Sequence, residues 1–119
     1  MSIEQVIDIL DKDDEILESY VLVREMKVLL QLQHPHFHPT IQIKIYRSSV
    51  LPEQPYHFEV SHYVHTPSQA GPYMTSRTSA QSEGEAIRRA ISTTTSFLQS
   101  AIREGREPSE DWLVPNKDF

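Results

Sequence analysis

Three histidines at alternate positions have the spacing that most directly suggests chemistry. They are His34, His36 and His38, in the segment HPHFHP. In an extended backbone, alternate residues share a face about 6.5–7 Å apart, so two of these imidazoles could chelate one Zn²⁺ or similar ion. A further ligand would have to come from elsewhere, and His62, His65 and Glu59 are candidates. Pro35 and Pro39 fit a rigid turn without metal equally well, so both interpretations stay open.

A second candidate site is a small group of arginines near the start of a predicted helix. These residues are Arg77, Arg88 and Arg89. A double-stranded-RNA-binding domain would use basic residues at such a place to hold phosphates. Adjacent helical positions diverge by about 100°, so Arg88 and Arg89 cannot form one stripe by themselves. The alternative is that the three arginines are surface residues engaged in salt bridges.

Features typical of enzymes are scarce. The chain has no cysteine, no Gly-x-Ser-x-Gly elbow and only three glycines, so thiolate chemistry, a hydrolase elbow and a phosphate-cradling loop are excluded. His57, Glu59 and Ser61 alternate along one predicted strand, which would suit acid–base chemistry but is equally what an exposed face contains. We therefore expect no cofactor and favour a function other than catalysis.

The charge is concentrated at the beginning of the chain. Residues 1–19 hold seven acidic residues and one lysine, which accounts for the formal net charge of −6 of the whole chain. This segment could be a solvated helix face or an acidic partner-binding arm. Because acidic surfaces repel phosphates, nucleic acid is not an expected partner. No apolar run approaches the roughly 20 residues that span a bilayer, and the lack of cysteine fits the cytoplasm.

The element that must organise the fold is a helix over residues 82–105. Ser82 and Glu85 form a capping box, and Gly105 can adopt the left-handed conformation that ends a helix. Between them, apolar residues recur with a period near 3.6 and form a stripe wide enough to cover a sheet. Thr94 lies on this stripe, and its hydroxyl can bond to a carbonyl one turn back.

The other elements follow from changes of period along the chain. Ser2 and Gln5 form a second capping box, which predicts an acidic helix within residues 1–19. Alternating patterns then predict three strands between residues 20 and 65, the third running through 56–64 in either of two registers. Residues 73–78 could add a short edge strand. The tail, 106–119, carries Trp112, whose large apolar surface favours docking on the body.

These elements predict a single α+β domain over residues 1–119. It comprises the acidic helix (1–19), an antiparallel sheet of three or four strands (20–81), the long helix (82–105) and the docked tail (106–119). Both helices are expected on one face of the sheet, as in other two-layer folds. The double-stranded-RNA-binding fold and the cystatin-like fold have related element orders.

The opposite sheet face should be open and partly apolar. The interface residues expected are Leu29, Tyr46, Tyr63 and Trp112. Exposed apolar patches usually mark protein contacts, so we predict a homodimer through this face, or another protein partner. The chain is accordingly interpreted as a small non-enzymatic binding or assembly module. The alternatives are a metal-binding protein or metal-dependent enzyme using the histidines, and an RNA-binding or antitoxin-like domain.

One family resemblance covers less than half of the chain. From the strand YHFEV, a Gly/Pro-containing loop leads into a helix of Ser-x-Glu-Glu-Ala type that closes with a Glu-Gly-x-x-x-Pro turn. The residues that match this pattern are Ser82, Glu85, Ala86, Glu104, Gly105 and Pro108. The segment 56–108 resembles the HicB-like group of antitoxins, which implies a partner-binding module. Residues 1–50 have no counterpart in that group, and no DNA-binding module follows the helix.

Overall fold

The computed structural model describes all residues of the chain, Met1–Phe119, and confirms the α+β class. The elements in chain order are α1 (Ile3–Asp11), β1 (Tyr20–Leu29), β2 (Thr40–Ser48), β3 (Tyr56–Val60), β4 (His62–Val64), β5 (Ser79–Ala80), α2 (Glu83–Arg103), a 3-10 helix (Glu110–Trp112) and β6 (Leu113–Pro115). The main sheet is antiparallel, with the strand order β1-β2-β3-β5. No helix is both long and apolar enough to cross a lipid bilayer.

The core lies between the main sheet and α2. Ile41, Ile43 and Ile45 on β2 are at most 1% exposed, as their alternation with polar residues predicts. On the neighbouring strand β3, Phe58 and Val60 point to the same side, opposite Ile45 and Ile43. This face, which α2 covers, is called the inner face below, and the opposite side is called the outer face.

Helix α2 begins and ends close to the expected positions. Its apolar stripe is buried at Ala86, Ala90, Thr94, Leu98 and Ala101. At its end, Gly105 has φ +85°, and Arg106 N–H donates to the carbonyl of Ala101, so the helix closes with a Schellman motif. The buried Thr94 hydroxyl donates to the carbonyl of Ala90 at 3.0 Å, as predicted. The cap differs from the prediction, because the Glu85 carboxylate accepts from Gln81 N–H instead of from Ser82 N–H.

Helix α1 is shorter than the predicted acidic segment 1–19 and buries no residue. It has the complete capping box, in which Gln5 Oε1 accepts from Ser2 N–H and Ser2 Oγ accepts from Gln5 N–H. The helix ends at Asp11 because a turn follows, where Asp13 Oδ1 accepts from Glu15 N–H at 2.8 Å. An ion pair joins Glu4 to Arg47 of β2 at 3.6 Å. The two helices therefore contribute unequally to the core.

The predicted third strand is divided in two at Ser61. Ser61 N–H donates to the carbonyl of Gln42 at 2.9 Å, and Ser61 Oγ accepts from Gln42 N–H at 2.8 Å, so the chain leaves the main sheet with its hydrogen bonds satisfied. Beyond this point β4 pairs with β6 in a separate two-stranded sheet. Of the two registers that the sequence allowed, the structure has the one that buries Phe58, Val60 and Val64.

The edge strand predicted at residues 73–78 lies a few residues later in the chain. Tyr73 forms only an isolated bridge with Val64, and the strand that pairs with β3 is Ser79–Ala80. The segment 73–78 therefore runs beside α2 as an irregular connection. Farther along, the tail lies against the body, with Trp112 5% exposed and its ring edge-on to Phe37 at 6.2 Å between centroids.

Candidate functional site

The three histidines proposed as metal ligands do not converge on one point: His34 and His38 contact nearby backbone, and the ring of His36 lies edge-on to that of His34 at 6.1 Å between centroids. His34 Nδ1 accepts from His36 N–H at 3.1 Å. His38 lies between two carbonyls, with Nδ1 3.3 Å from the oxygen of Leu30 and Nε2 3.2 Å from that of Pro35. No group of three or more His, Cys, Asp or Glu side chains is arranged to hold a metal ion. The contacts of this segment are those of a proline-stiffened turn.

The additional ligands considered for that metal also lie apart from the turn. His65 Nε2 is 3.1 Å from the carbonyl oxygen of Gln69, and His62 Nδ1 is 2.8 Å from Ser61 Oγ. Glu59 lies on β3, directly opposite Lys44 of β2. The histidines of the chain therefore belong to several separate local networks.

The four predicted interface residues do not share a surface. Leu29 is 66% exposed at the end of β1, whereas Tyr63 belongs to the small sheet and Trp112 is inside the core. Trp112 is thus a correction to the predicted interface, because docking of the tail removes its ring from any exposed surface. Tyr46 alone lies in the middle of the outer face, between Leu22 and His57.

The outer face is more strongly charged than its sequence pattern suggested. Glu25, Lys44 and Glu59 form one row across β1, β2 and β3. Lys44 Nζ also lies 4.1 Å from the ring centroid of Phe119, so the end of the chain covers part of this face. Burial, with the carboxylates of Glu59 and Glu25 nearby, raises the pKa of Tyr46 above its ordinary value. A dimer interface of apolar side chains therefore finds little support on this face.

The structure brings two of the three predicted arginines together. Arg77 and Arg89 line the same cavity, while Arg88 is exposed on another side of α2. Arg89 is held in place, because Nη1 donates to the carbonyl of Ser79 at 2.7 Å and Nη2 pairs with Glu85 at 2.7 Å. The Arg77 guanidinium has no ion pair and no hydrogen bond within the chain. One fixed and one free guanidinium therefore face the same space.

This space is part of a longer depression, here called the α2 groove, between α2 and the segment 73–78. It consists of two adjoining cavities of about 220 and 380 Å³. The residues that line both cavities are Phe58, Tyr73, Thr75 and Thr93. The groove exists because β5 pairs only with Tyr56 and His57, which leaves the rest of the β3 edge without a neighbouring strand.

The two ends of the α2 groove differ in chemistry. The larger cavity has the arginines together with the hydroxyls of Ser92 and Ser96 from α2. Tyr73 and Phe97 stand at its wall with ring centroids 4.8 Å apart, 38% and 36% exposed. Exposed aromatic faces of this kind can stack on a flat ligand group. The larger cavity therefore combines positive charge, hydroxyl groups and an aromatic wall.

The smaller cavity is lined by titratable groups. His57, Glu59, His62 and Asp118 all border it. Burial lowers the pKa of His57, and the nearby carboxylate of Glu59 partly offsets that effect. Thr78 Oγ1 lies 2.9 Å from His57 Nδ1. Such hydroxyl–imidazole contacts can activate a nucleophile when a third group orients the imidazole, but no side chain bonds to the other ring nitrogen of His57 or of His62.

The sequence contained a signal for part of this site. The run Thr93–Ser96 is unusual inside a helix, because β-branched and hydroxyl residues lower helix propensity. The structure shows that Thr93 and Ser96 face the groove, while Thr94 faces the core. Their pairing with Tyr73, Thr75 and Arg77 was not predictable, because that segment lacks regular structure.

A comparison with protein-family models, curated protein sequences and solved structures finds no significant match to this chain. The resemblance of residues 56–108 to the HicB-like antitoxins stays a prediction.

Proposed function

We propose that the chain is a cytoplasmic, non-enzymatic binding module and that the α2 groove is its ligand site. The single observation that carries this proposal is the free guanidinium of Arg77 beside the fixed guanidinium of Arg89 in one cavity. Arg89 keeps its position through Glu85 and Ser79, so the cavity has one preorganised guanidinium, whose charge Glu85 balances. Arg77 can turn to meet a ligand without breaking an existing contact.

The chemistry of the cavity favours a small organic anion with a flat apolar group. Guanidinium groups bind carboxylate and phosphate oxygens through short, charge-assisted hydrogen bonds. The Ser92 hydroxyl can donate to a further oxygen, whereas that of Ser96 already donates to the carbonyl of Ser92 at 2.6 Å. Tyr73 and Phe97 can contact the flat group. Sites for small molecules commonly combine an apolar wall with a few convergent polar groups in this way.

Duplex RNA fits the same arginines less well. Binding to a duplex requires basic residues spread over a broad surface, whereas here Arg88 lies apart from the other two and residues 1–19 are acidic. Catalysis is also less favoured, because neither His57 nor His62 is oriented by a third side chain. These contacts support binding without turnover.

The experiment is an NMR titration of the whole chain with phenyl phosphate, inorganic phosphate and phenol. We expect phenyl phosphate to shift amide resonances of residues 73–78 and 89–97, and to bind more tightly than either fragment. Arg77→Ala should weaken its binding about tenfold, which corresponds to about 1.4 kcal/mol. Arg88→Ala is the matched control, because it removes the same charge outside the groove and should change affinity little.

Two results would contradict the proposal. One is a set of shifts scattered over the surface for all three compounds. The other is an equal loss of affinity in Arg77→Ala and Arg88→Ala, which would mean that the anion responds to overall charge instead of to the groove.

A further inference from the structure

Strand β1 leaves a long edge of the main sheet without a partner. It is the outermost strand, ten residues in length, and it pairs only with β2. Leu30 N–H donates to the carbonyl of Pro39 on the β2 side. In an antiparallel pair, the N–H and C=O groups of alternate residues point to the same neighbour, so those of Val28 and Met26, which pair with Ile41 and Ile43, also point toward β2. The N–H and C=O groups of Glu25, Lys27 and Leu29 therefore point away from the sheet and are free to pair with another strand.

The inner face of β1 is also incompletely covered. Helix α2 packs on β2, β3, β4 and β5 but makes little contact with β1. Consequently Val23, Met26 and Val28 are only partly buried. The isoleucines opposite Met26 and Val28 on β2, Ile43 and Ile41, are by contrast fully buried. An additional strand beside β1 would complete the burial of these side chains.

We propose that a second copy of the chain pairs with this edge, antiparallel, about a two-fold axis at Met26. The pattern of charges on β1 supports this occupant and this register. With Met26 opposite Met26 of the second copy, Glu25 stands directly opposite Lys27 of the second copy, and Lys27 opposite its Glu25. Opposite charges at directly facing positions stabilise an antiparallel pair. The contact is isologous, as a two-fold axis requires.

Neighbouring registers lack this complementarity. A shift of the axis by one residue in either direction brings Glu25 against Glu25, or Lys27 against Lys27. Charged residues on an edge strand normally prevent edge-to-edge pairing. Here they disfavour the two neighbouring registers, in which like charges face each other, and favour the register centred on Met26. Arg24 does not interfere, because its Nε donates to Glu83 Oε1 at 2.6 Å and is held toward α2.

The proposed pairing also continues a charge pattern already present in the chain. On the outer face, Glu59, Lys44 and Glu25 alternate in sign across three strands. Lys27 of the second copy would be the next member of this row. The irregularity in β1 between Leu22 and Arg24 bends the strand there, so the paired stretch is short, running over residues 24–28. A short edge contact of this size predicts a weak dimer.

Charge exchange is the first test. Sedimentation of the wild-type chain over a concentration series should show a monomer–dimer equilibrium. Glu25→Lys places two lysines opposite each other at both symmetry-related positions and should lower the dimerisation constant at least tenfold. The double variant Glu25→Lys, Lys27→Glu should restore dimerisation. That rescue cannot come from the monomer, because residue 25 would still oppose Lys44 within the chain.

Single-cysteine variants test the register, since the chain has no cysteine of its own. Residues facing each other at a non-hydrogen-bonded pair have Cα atoms about 4.5 Å apart, close enough for a disulfide. Met26→Cys should therefore form a disulfide-linked dimer on mild oxidation. Leu29→Cys is the control, because its counterpart would be six residues along the strand, about 20 Å away.

A wild-type chain that stays monomeric at all concentrations would overturn the proposal. So would a dimer that Glu25→Lys leaves unchanged, or one that Leu29→Cys cross-links as readily as Met26→Cys. None of these outcomes bears on the α2 groove. The groove lies beside β3, toward the opposite edge of the sheet from β1.

Discussion

Helices α1 and α2 begin alike, each with a serine cap that accepts a hydrogen bond from the backbone three residues later. Their environments nevertheless differ: α2 buries five residues, whereas α1 buries none. Helix α2 packs on the inner face of β2 and β3, while α1 lies beside β1 and is joined to Arg47 of β2 through Glu4. The comparison shows that a cap and an apolar stripe specify where a helix forms, whereas its contribution to stability depends on the surface it covers.

The largest expected difference between the helices concerns their apolar residues. Leu98→Ala should lower the free energy of unfolding by about 2–5 kcal/mol, because it leaves a cavity at a fully buried position. Ile7→Ala in α1 is the matched change at a partly exposed position and should cost less than about 1 kcal/mol. Both values can be measured by denaturant unfolding. Equal losses would mean that α1 belongs to the same cooperative core.

The helix caps provide a second, smaller test. Ser82→Ala should cost about 1 kcal/mol of global stability, because an N–H of α2 loses its acceptor. Ser2→Ala removes the equivalent bond in α1 and should leave the global unfolding midpoint unchanged. It should instead speed hydrogen exchange of the α1 amides, because losing the cap makes local unfolding of this helix easier without affecting the core. If Ser2→Ala shifted the midpoint as much as Ser82→Ala, this distinction between the helices would fail.

The smallest effect expected is a pH dependence at His57 of β3, which lies next to Tyr46 on the outer face. Burial lowers the pKa of His57 in the folded chain, so below about pH 6.5 the unfolded chain binds a proton that the folded chain does not. Stability should therefore be complete above this pH and should decline as the pH falls toward the lowered pKa. Denaturant unfolding at pH 7.5 and 5.5 measures the decline, and His57→Gln should reduce it. If His57→Gln lost as much stability between pH 7.5 and 5.5 as the wild type, the pH dependence would come from other titratable groups.

Local physical chemistry made several features of the fold predictable. The Ile41–Ile45 alternation specified a strand and the face that it buries. Gly105 specified the end of α2, because only glycine readily adopts the positive φ found there. The Thr94 hydroxyl bond could also be expected, since it joins residues one helical turn apart. Each of these features depends on residues close together in the chain.

The candidate site was less predictable, because its walls come from distant segments. The sequence identified Arg77 and Arg89 but grouped them with Arg88, since adjacency in the chain says little about which helix side faces a cavity. The histidine cluster had suitable spacing, yet backbone groups of the same turn hold His34 and His38. In both cases the decisive contacts involve backbone conformation that periodicity does not specify.

By itself, the sequence determined the α+β class, the order of the main elements and the residues of β2 and α2 that face the core, because these depend on periodicity, caps and turns. Only the tertiary structure decided where the third predicted strand divides. Ser61 bonds there to Gln42, and Asn116 N–H donates to the Ser61 carbonyl from the far end of the chain at 2.8 Å. β4 then leaves to pair with β6. Because β5 pairs only with Tyr56 and His57, the rest of the β3 edge stays open, and the α2 groove forms beside it. Such pairings satisfy backbone hydrogen bonds between distant segments, and a backbone group is the same for almost every residue type, so side-chain patterns cannot specify its partner.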